Sequence, residues 1–345
     1  MKRHLSHSAT FSGQLVEWVR GKSSILIVTH DHPDPDSLAA AYALRHLFLV
    51  KTGQEATIAF GGRIGRGENK EMVKRLEIPT VPIDQLNLND YKSICMVDCQ
   101  PGTGNNSIPP DVKVDLVIDH HALRGETEAC RWVDVRPDYG AAASILYEYL
   151  VAQEVKIATK LATLLFYAIK SETQNLGRDW TKADREAYLE LVPLCNNRIL
   201  YEITHPKSPR AYFSYFDSGL KNARIYDNLL VFNLYRVDHP EIVAEIADFL
   251  MRVEGVNLVL GIGNYQQEGV LSLRTNSPDI KAGVLIRTIT EGLGTAGGHG
   301  MTAGGQIRPM PCDAAEQSAL EELLISRLFD ALGRELPMPR PLIDP

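Results

Sequence analysis

The sequence predicts an α/β protein, with an N-terminal parallel-sheet domain, a smaller C-terminal α/β domain and a cleft between them. Three observations carry that prediction. Short, continuously apolar runs such as Ser24-Ile25-Leu26-Ile27-Val28 lack the alternation of a half-exposed strand, so they read as strands buried on both faces. Three such runs lead into His or Asp, which would line one edge of a parallel sheet, where open α/β folds bind their ligands. The apolar pattern breaks between Cys195 and Gly219, at Asn196-Asn197, His205-Pro206 and Ser208-Pro209, as expected of a connector between domains.

In chain order, the first strand runs into Thr29-His30-Asp31-His32-Pro33-Asp34-Pro35-Asp36-Ser37 and then a strongly helix-forming segment, 38–44, with Asp36 or Ser37 expected as its cap. So much carboxylate in one loop is costly without a cation, although the loop taken alone is equally a polar turn with a helix cap. Residues 55–60 form a second strand, and the basic loop 61–69 either touches an anionic ligand or simply crosses over into a helix at 71–76. Strand 91–97 ends at Asp98, and strand 114–118 ends at Asp119-His120-His121. Helices follow over 140–150, 158–169 and 182–194, the second of them leading to Lys170-Ser171-Glu172. After a helical connector at 196–222, the second domain opens with a hairpin turning near Asp227-Asn228. A helix over 241–252, strands 256–261 and 269–274 and a helix over 280–291 come next. The glycine-rich run 294–305 precedes a last strand at 306–308, a helix over 314–332 and a frayed tail, 337–345.

Composition narrows the function. The chain has 345 residues, enough for two domains, and 44% hydrophobic content, enough for a core in each. A formal charge of -7 argues against a general grip on long duplex DNA and leaves room for small phosphate compounds. Cys95, Cys99, Cys130, Cys195 and Cys312 are scattered, odd in number and free of any CxxC pair, which suits reduced thiols in a cytoplasmic protein. The basic N-terminus lacks the apolar stretch of a secretory signal, and no run approaches the roughly 18 apolar residues of a membrane span. No membrane partner is expected, and a homodimer is compatible with the sequence.

His30, Asp34, Asp36, Asp98 and His120 supply two imidazoles and three carboxylates at the strand ends of one predicted sheet. That mixture of nitrogen and hard oxygen suits Mn²⁺ first, with Mg²⁺, Co²⁺, Fe²⁺ and Zn²⁺ as alternatives. Two such ions about 3.5 to 4 Å apart would clamp a phosphate and activate water, so phosphoester hydrolysis is the natural reaction.

Four separated motifs resemble the DHH phosphoesterase superfamily: His30-x-x-x-Asp34-x-Asp36, Val97-Asp98, Asp119-His120-His121 and the run Gly297-Gly298-His299-Gly300-Met301-Thr302-Ala303-Gly304. The last is similar to the signature of the DHH-associated C-terminal domain, as arranged in bifunctional oligoribonuclease and pAp phosphatases and in RecJ-type exonucleases. The resemblance implies a catalytic metal-binding domain at 1–195 and a substrate-binding domain at 223–336. It implies that His30 and Asp34 hold one metal, Asp36 and His120 a second, and that Asp98 bridges them. Asp119 would orient His120, and His121 would face the phosphate. The family's final ligand is an aspartate, and the aligned position here is Glu172. Arg274, Gly297, Gly298 and His299 would grip the substrate, although the glycines alone would equally make a tight turn. The implied substrates are short oligoribonucleotides, linear dinucleotides such as pApA or pGpG, and pAp. Alternatives are a cyclic dinucleotide phosphodiesterase, a single-strand exonuclease and a nucleotide-binding regulator impaired at its second metal site. A pyrophosphatase is disfavoured by the nucleotide-type glycine run.

Overall fold

A computed structural model describes residues 2–311 and 313–343, so Cys312 lies outside the described residues. The chain divides into two compact units, Met1–Pro206 and Lys207–Pro345. The expected connector is split between them: its first helix belongs to one unit and its second to the other.

The first unit opens with α1 (Lys2–Val19), a helix that the sequence reading passed over. Its inward face runs from Ser8 and Ser12, both fully buried, to Leu15, Val16 and Val19, so two of its buried positions are polar and hide the apolar periodicity. There follow β1 (Ile25–Val28), α2 (Pro35–Thr52), β2 (Ala56–Phe60), α3 (Gly67–Arg75), β3 (Thr80–Pro82), β4 (Ser93–Val97), β5 (Leu116–Asp119) and β6 (Trp132–Val135). These strands make one sheet in the order β3-β2-β1-β4-β5-β6, with every neighbouring pair parallel. Along β1, Ile25 and Ile27 enter one core while Leu26 and Val28 enter another on the opposite face, which is why the run is apolar throughout. The edge strands β3 and β6 are short and only partly buried, so they carry no such signature. The unit closes with α4 (Ala142–Ala152), α5 (Thr159–Glu172), α6 (Lys182–Leu191) and α7 (Asn197–Thr204).

The strand order reverses between β1 and β4. Connections leaving these two strands diverge, which opens a crevice at their carboxyl ends.

The second unit contains α8 (Tyr212–Asn222), β7 (Arg224–Tyr226), β8 (Leu229–Arg236), α9 (Glu241–Leu250), β9 (Leu258–Tyr265), β10 (Glu268–Thr275), α10 (Ala282–Thr290), β11 (Gly294–His299), β12 (Thr302–Ile307), α11 (Ala314–Ala331) and β13 (Arg340–Pro341). Its sheet runs β11-β12-β10-β9-β8-β7-β13, with β8 and β9 parallel and the other pairs antiparallel. Helices α10 and α11 pack on one face, α8 and α9 on the other.

Two expectations are corrected here. The last strand is not confined to 306–308, because the glycine-rich run is itself a β-hairpin: a Cβ on Gly283 of α10 would lie 2.0 Å from the Gly298 carbonyl oxygen, so helix and hairpin meet backbone to backbone. The tail is not frayed throughout, because Arg340 and Pro341 pair with Ile225 and Arg224 of β7. Among the described residues no helix is long and apolar enough to cross a membrane, and Cys95, Cys99, Cys130 and Cys195 are free thiols.

Candidate metal centre

The crevice between β1 and β4 holds the predicted residues of the first unit. His30 stands two residues beyond β1. Its Nδ1 donates to the Asp31 carbonyl at 2.8 Å, which leaves Nε2 facing Asp34 Oδ1 and Asp98 Oδ2, both at 3.6 Å. His120 follows β5 and repeats the device. Its Nδ1 donates to the Tyr139 carbonyl at 3.1 Å, and Nε2 faces Asp98 Oδ1 at 3.4 Å and Asp36 Oδ2 at 3.8 Å.

Asp98 therefore offers one oxygen to each imidazole. It is 2% exposed, and its Oδ1 has no hydrogen-bond partner among the described residues. Its backbone is left-handed, at φ 58°, and is held there by donation from its N–H to the Ile118 carbonyl at 2.9 Å. Such a conformation costs roughly 1–3 kcal/mol outside glycine and persists only where the surroundings enforce it.

Asp34 and Asp36 divide their work differently from the sequence expectation. Asp34 is the N-cap of α2. Its Oδ1 accepts from the Ser37 N–H at 2.9 Å, its own N–H donates to Ser37 Oγ, and Pro35 fills the first helical position. Asp36 does not cap its own helix. It is buried and accepts from the Ala142 and Ala143 N–H groups, at 2.7 and 2.8 Å, at the start of α4.

The expected role of Asp119 also needs correction. Its Oδ1 accepts from the His121 ring Nδ1 at 2.8 Å and from the backbone N–H groups of His120 and His121, so it orients the His121 ring and only the backbone of His120. The His120 ring is held by the Tyr139 carbonyl, which no sequence motif announces. His121 Nδ1 also lies 3.7 Å from Asp98 Oδ1. Sequence reasoning missed Gln100 as well. This side chain is 1% exposed, donates to Asp119 Oδ2 at 2.6 Å and accepts from the Arg124 N–H and Thr127 hydroxyl, each at 2.8 Å. Its place two residues after Asp98 was the one available clue.

Glu172 ends α5 near enough to the centre to feel the charges of Asp34, Asp98 and His120. Burial first, then Asp34, raises its pKa to about 7, partly offset by His120 and Arg178. Burial and the Asp98 charge likewise push Asp36 well above the usual carboxylate range. Burial opposes charge on His30 as well, but hydrogen bonding and charge from Asp34, reinforced by Asp98, raise it to about 10. The same contest, with Asp98 as the main partner, ends with His120 raised well above an ordinary imidazole. Asp36 and Glu172 are thus pushed toward their protonated forms and the two imidazoles toward their charged forms. At Asp34, by contrast, burial is outweighed by hydrogen bonding and charge from His30, which hold its carboxyl below the usual carboxylate range.

These observations fit a divalent ion on two counts. Both imidazoles spend Nδ1 on a carbonyl and turn Nε2 inward, and a buried carboxylate oxygen is left without a donor. Two groupings, His30-Asp34-Asp98 and Asp98-His120-His121, bring their ligand atoms within 4.8 Å of one another and share Asp98.

In the second unit, Arg274 lies on β10, with Nε donating to Asp248 Oδ1 at 2.5 Å and Nη1 directed at the Leu273 and Ala303 carbonyls. Gly297 and Gly298 lie on β11. His299 ends that strand, and its side chain lies outside the described residues.

Fold and centre together define an α/β protein with an imidazole–carboxylate cluster at the switch point of a parallel sheet. Over residues 24–169 the chain matches the DHH family, N-terminal domain. It is 30% identical over 319 residues to an uncharacterized protein of Methanocaldococcus jannaschii, covering 90% of this chain and 65% of that protein. It is 24% identical over 151 residues to a probable manganese-dependent inorganic pyrophosphatase of Lactiplantibacillus plantarum, covering 44% of this chain and 48% of the relative. The chain therefore spans less than two thirds of the length of either relative. Its fold is similar to that of an exopolyphosphatase-related protein from Bacteroides fragilis, with a TM-score of 0.73, 13% identity and coverage of 96% of this chain and 98% of the other.

Proposed function

We propose that this protein is a divalent-metal-dependent phosphoesterase that hydrolyses short nucleotide phosphodiesters or phosphomonoesters, such as short oligoribonucleotides, linear dinucleotides and pAp. The observation that carries the reading is Asp98, whose two oxygens face two separate imidazoles while one of them has no hydrogen-bond donor among the described residues. In this reading His30, Asp34 and Asp98 hold one ion, and Asp36, His120, Glu172 and Asp98 hold the other. Mn²⁺ is the favoured ion, consistent with the manganese dependence named for the pyrophosphatase relative. When bound, the ions supply Lewis-acid polarisation of the phosphate and lower the pKa of water.

The remaining work belongs to side chains. The Nδ1 hydrogen bonds of His30 and His120 fix both rings before any ion arrives, so little orientational freedom is lost on binding. His121, steadied by Asp119, faces the phosphate, where its charge offsets the oxyanion and its proton is available to the leaving oxygen. In the second unit, Arg274, Gly297, Gly298 and His299 are the residues assigned to substrate binding, the glycines allowing close approach to backbone N–H groups.

The test is a substrate panel of short RNAs, linear and cyclic dinucleotides, pAp, single-stranded DNA and pyrophosphate, each with Mn²⁺ and after chelation. The expected result is Mn²⁺-dependent release of mononucleotides from the short RNAs, lost in Asp98→Ala. Arg274→Ala should raise KM about tenfold, as for loss of a charge-assisted hydrogen bond. Turnover of pyrophosphate alone would keep the metal centre and replace the nucleotide assignment. Nucleotide binding without product from any substrate would make the protein a regulator.

A further inference from the structure

The segment that follows α5 turns back on itself. The Asn175 N–H donates to the Lys170 carbonyl, and those of Gly177 and Arg178 both donate to Thr173, each at 2.8–3.0 Å. Gln174, Asn175 and Leu176 are consecutively left-handed, at φ 48°, 60° and 61°, and this reversal carries Arg178 back to the helix end. The Arg178 side chain is 12% exposed, and its Nη2 lies 3.4 Å from Glu172 Oε1. Its Nε is buried without a hydrogen-bond partner among the described residues, 3.5 Å from the largely exposed Asp179 carboxylate. A permanent cation is thus held, largely out of water, against one oxygen of the carboxylate that ends α5.

Glu172 has one more methylene than the aspartate expected at this position, hence one more torsion to fix before it can serve as a ligand. It also shares its site with Asp34 and Asp98, whose charges repel it. We infer that Arg178 is a positioning residue for the second metal site, holding Glu172 Oε1 so that Oε2 is aimed at the ion. The pair Glu172–Arg178 then substitutes for a shorter, self-orienting aspartate. The geometry is local: the two groups are six positions apart in the chain, and the return turn that joins them is fixed by main-chain hydrogen bonds. The inference rests on the reading of Glu172 as a ligand, and its test separates the two.

Mn²⁺ is titrated into the full-length protein by calorimetry, with electron paramagnetic resonance counting free ion. The proteins are the unmodified chain, Arg178→Met, Arg178→Lys, Glu172→Gln and the double variant Glu172→Gln/Arg178→Met. The expected result is that Arg178→Met weakens one of two Mn²⁺ sites at least tenfold and leaves the other in place. Arg178→Lys should recover part of that loss, and Arg178→Met should add nothing once Glu172 is Gln. Should Arg178→Met fail to fold, Arg178→Gln carries the same comparison. Unchanged Mn²⁺ affinity in Arg178→Met with a raised KM would overturn the inference and move the guanidinium to the phosphate. An equal loss in both Glu172 backgrounds would also overturn it. Mn²⁺ affinity unaffected by Glu172→Gln would remove Glu172 from the ligand set, whatever Arg178 does.

Discussion

Asp98 and Gln100 show how much of the centre is set by single side chains beyond the obvious motif. Asp98 is legible in the sequence because it ends an apolar run, but its left-handed backbone and its donor-less oxygen are not. Gln100 uses its amide in full: it donates to Asp119 and to the Ala122 carbonyl, and its oxygen receives two donors. Through Asp119 it steadies His121. Replacing it by Leu removes the donor to a buried carboxylate oxygen, so Gln100→Leu should lower kcat about 10- to 100-fold, the usual effect of losing an outer partner in a metal site. Steady-state kinetics on the best substrate, beside a thermal melt, checks this. Activity within twofold of the unmodified protein would show that Asp119 needs no support.

At the scale of elements, the first unit is tied together by borrowed caps. Helix α4 begins at Ala142 after Ala141, which has no side chain able to cap it. Asp36, more than a hundred residues earlier, accepts from two of its buried first-turn N–H groups instead. One carboxylate thus joins the start of α2 to the start of α4 and stands beside His120. Asp36→Ala should therefore destabilise the metal-free protein by about 1–3 kcal/mol, the cost of leaving buried donors unpaired. Asp36→Asn, which keeps one accepting oxygen, should cost less. Urea unfolding with chelator present measures both, and equal stability in all three proteins would contradict the capping role. The sequence shows an acid near a helix start. It cannot say which helix, because that choice depends on where a distant segment packs.

Across the whole molecule, two units with separate cores divide the proposed labour, with the metal centre confined to the first. An ion that binds only the native first unit stabilises that unit, by about 2.7 kcal/mol at a hundredfold excess over its Kd. Calorimetric unfolding of the full chain should resolve two transitions, with Mn²⁺ moving one of them upward and leaving the other. A single transition that moves as a whole would mean that the units unfold together. The fold of the first unit was largely legible, since fully buried parallel strands announce themselves by unbroken Ile, Leu and Val. Helix α1, the edge strands β3 and β6 and the hairpin β11–β12 were not. Their residues are short, polar or glycine-rich, and their structure depends on what they lie against.

By itself the sequence determined the α/β class and the strand-end positions of His30, Asp98 and His120, because each depends on local periodicity or on a side chain's place at the end of an apolar run. Tertiary structure alone decided that Asp36 caps α4, that Tyr139 rather than Asp119 holds the His120 ring, and that Arg178 folds back onto Glu172. Those are contacts between groups whose approach is set by packing and main-chain turns, and one-dimensional spacing carries no record of them.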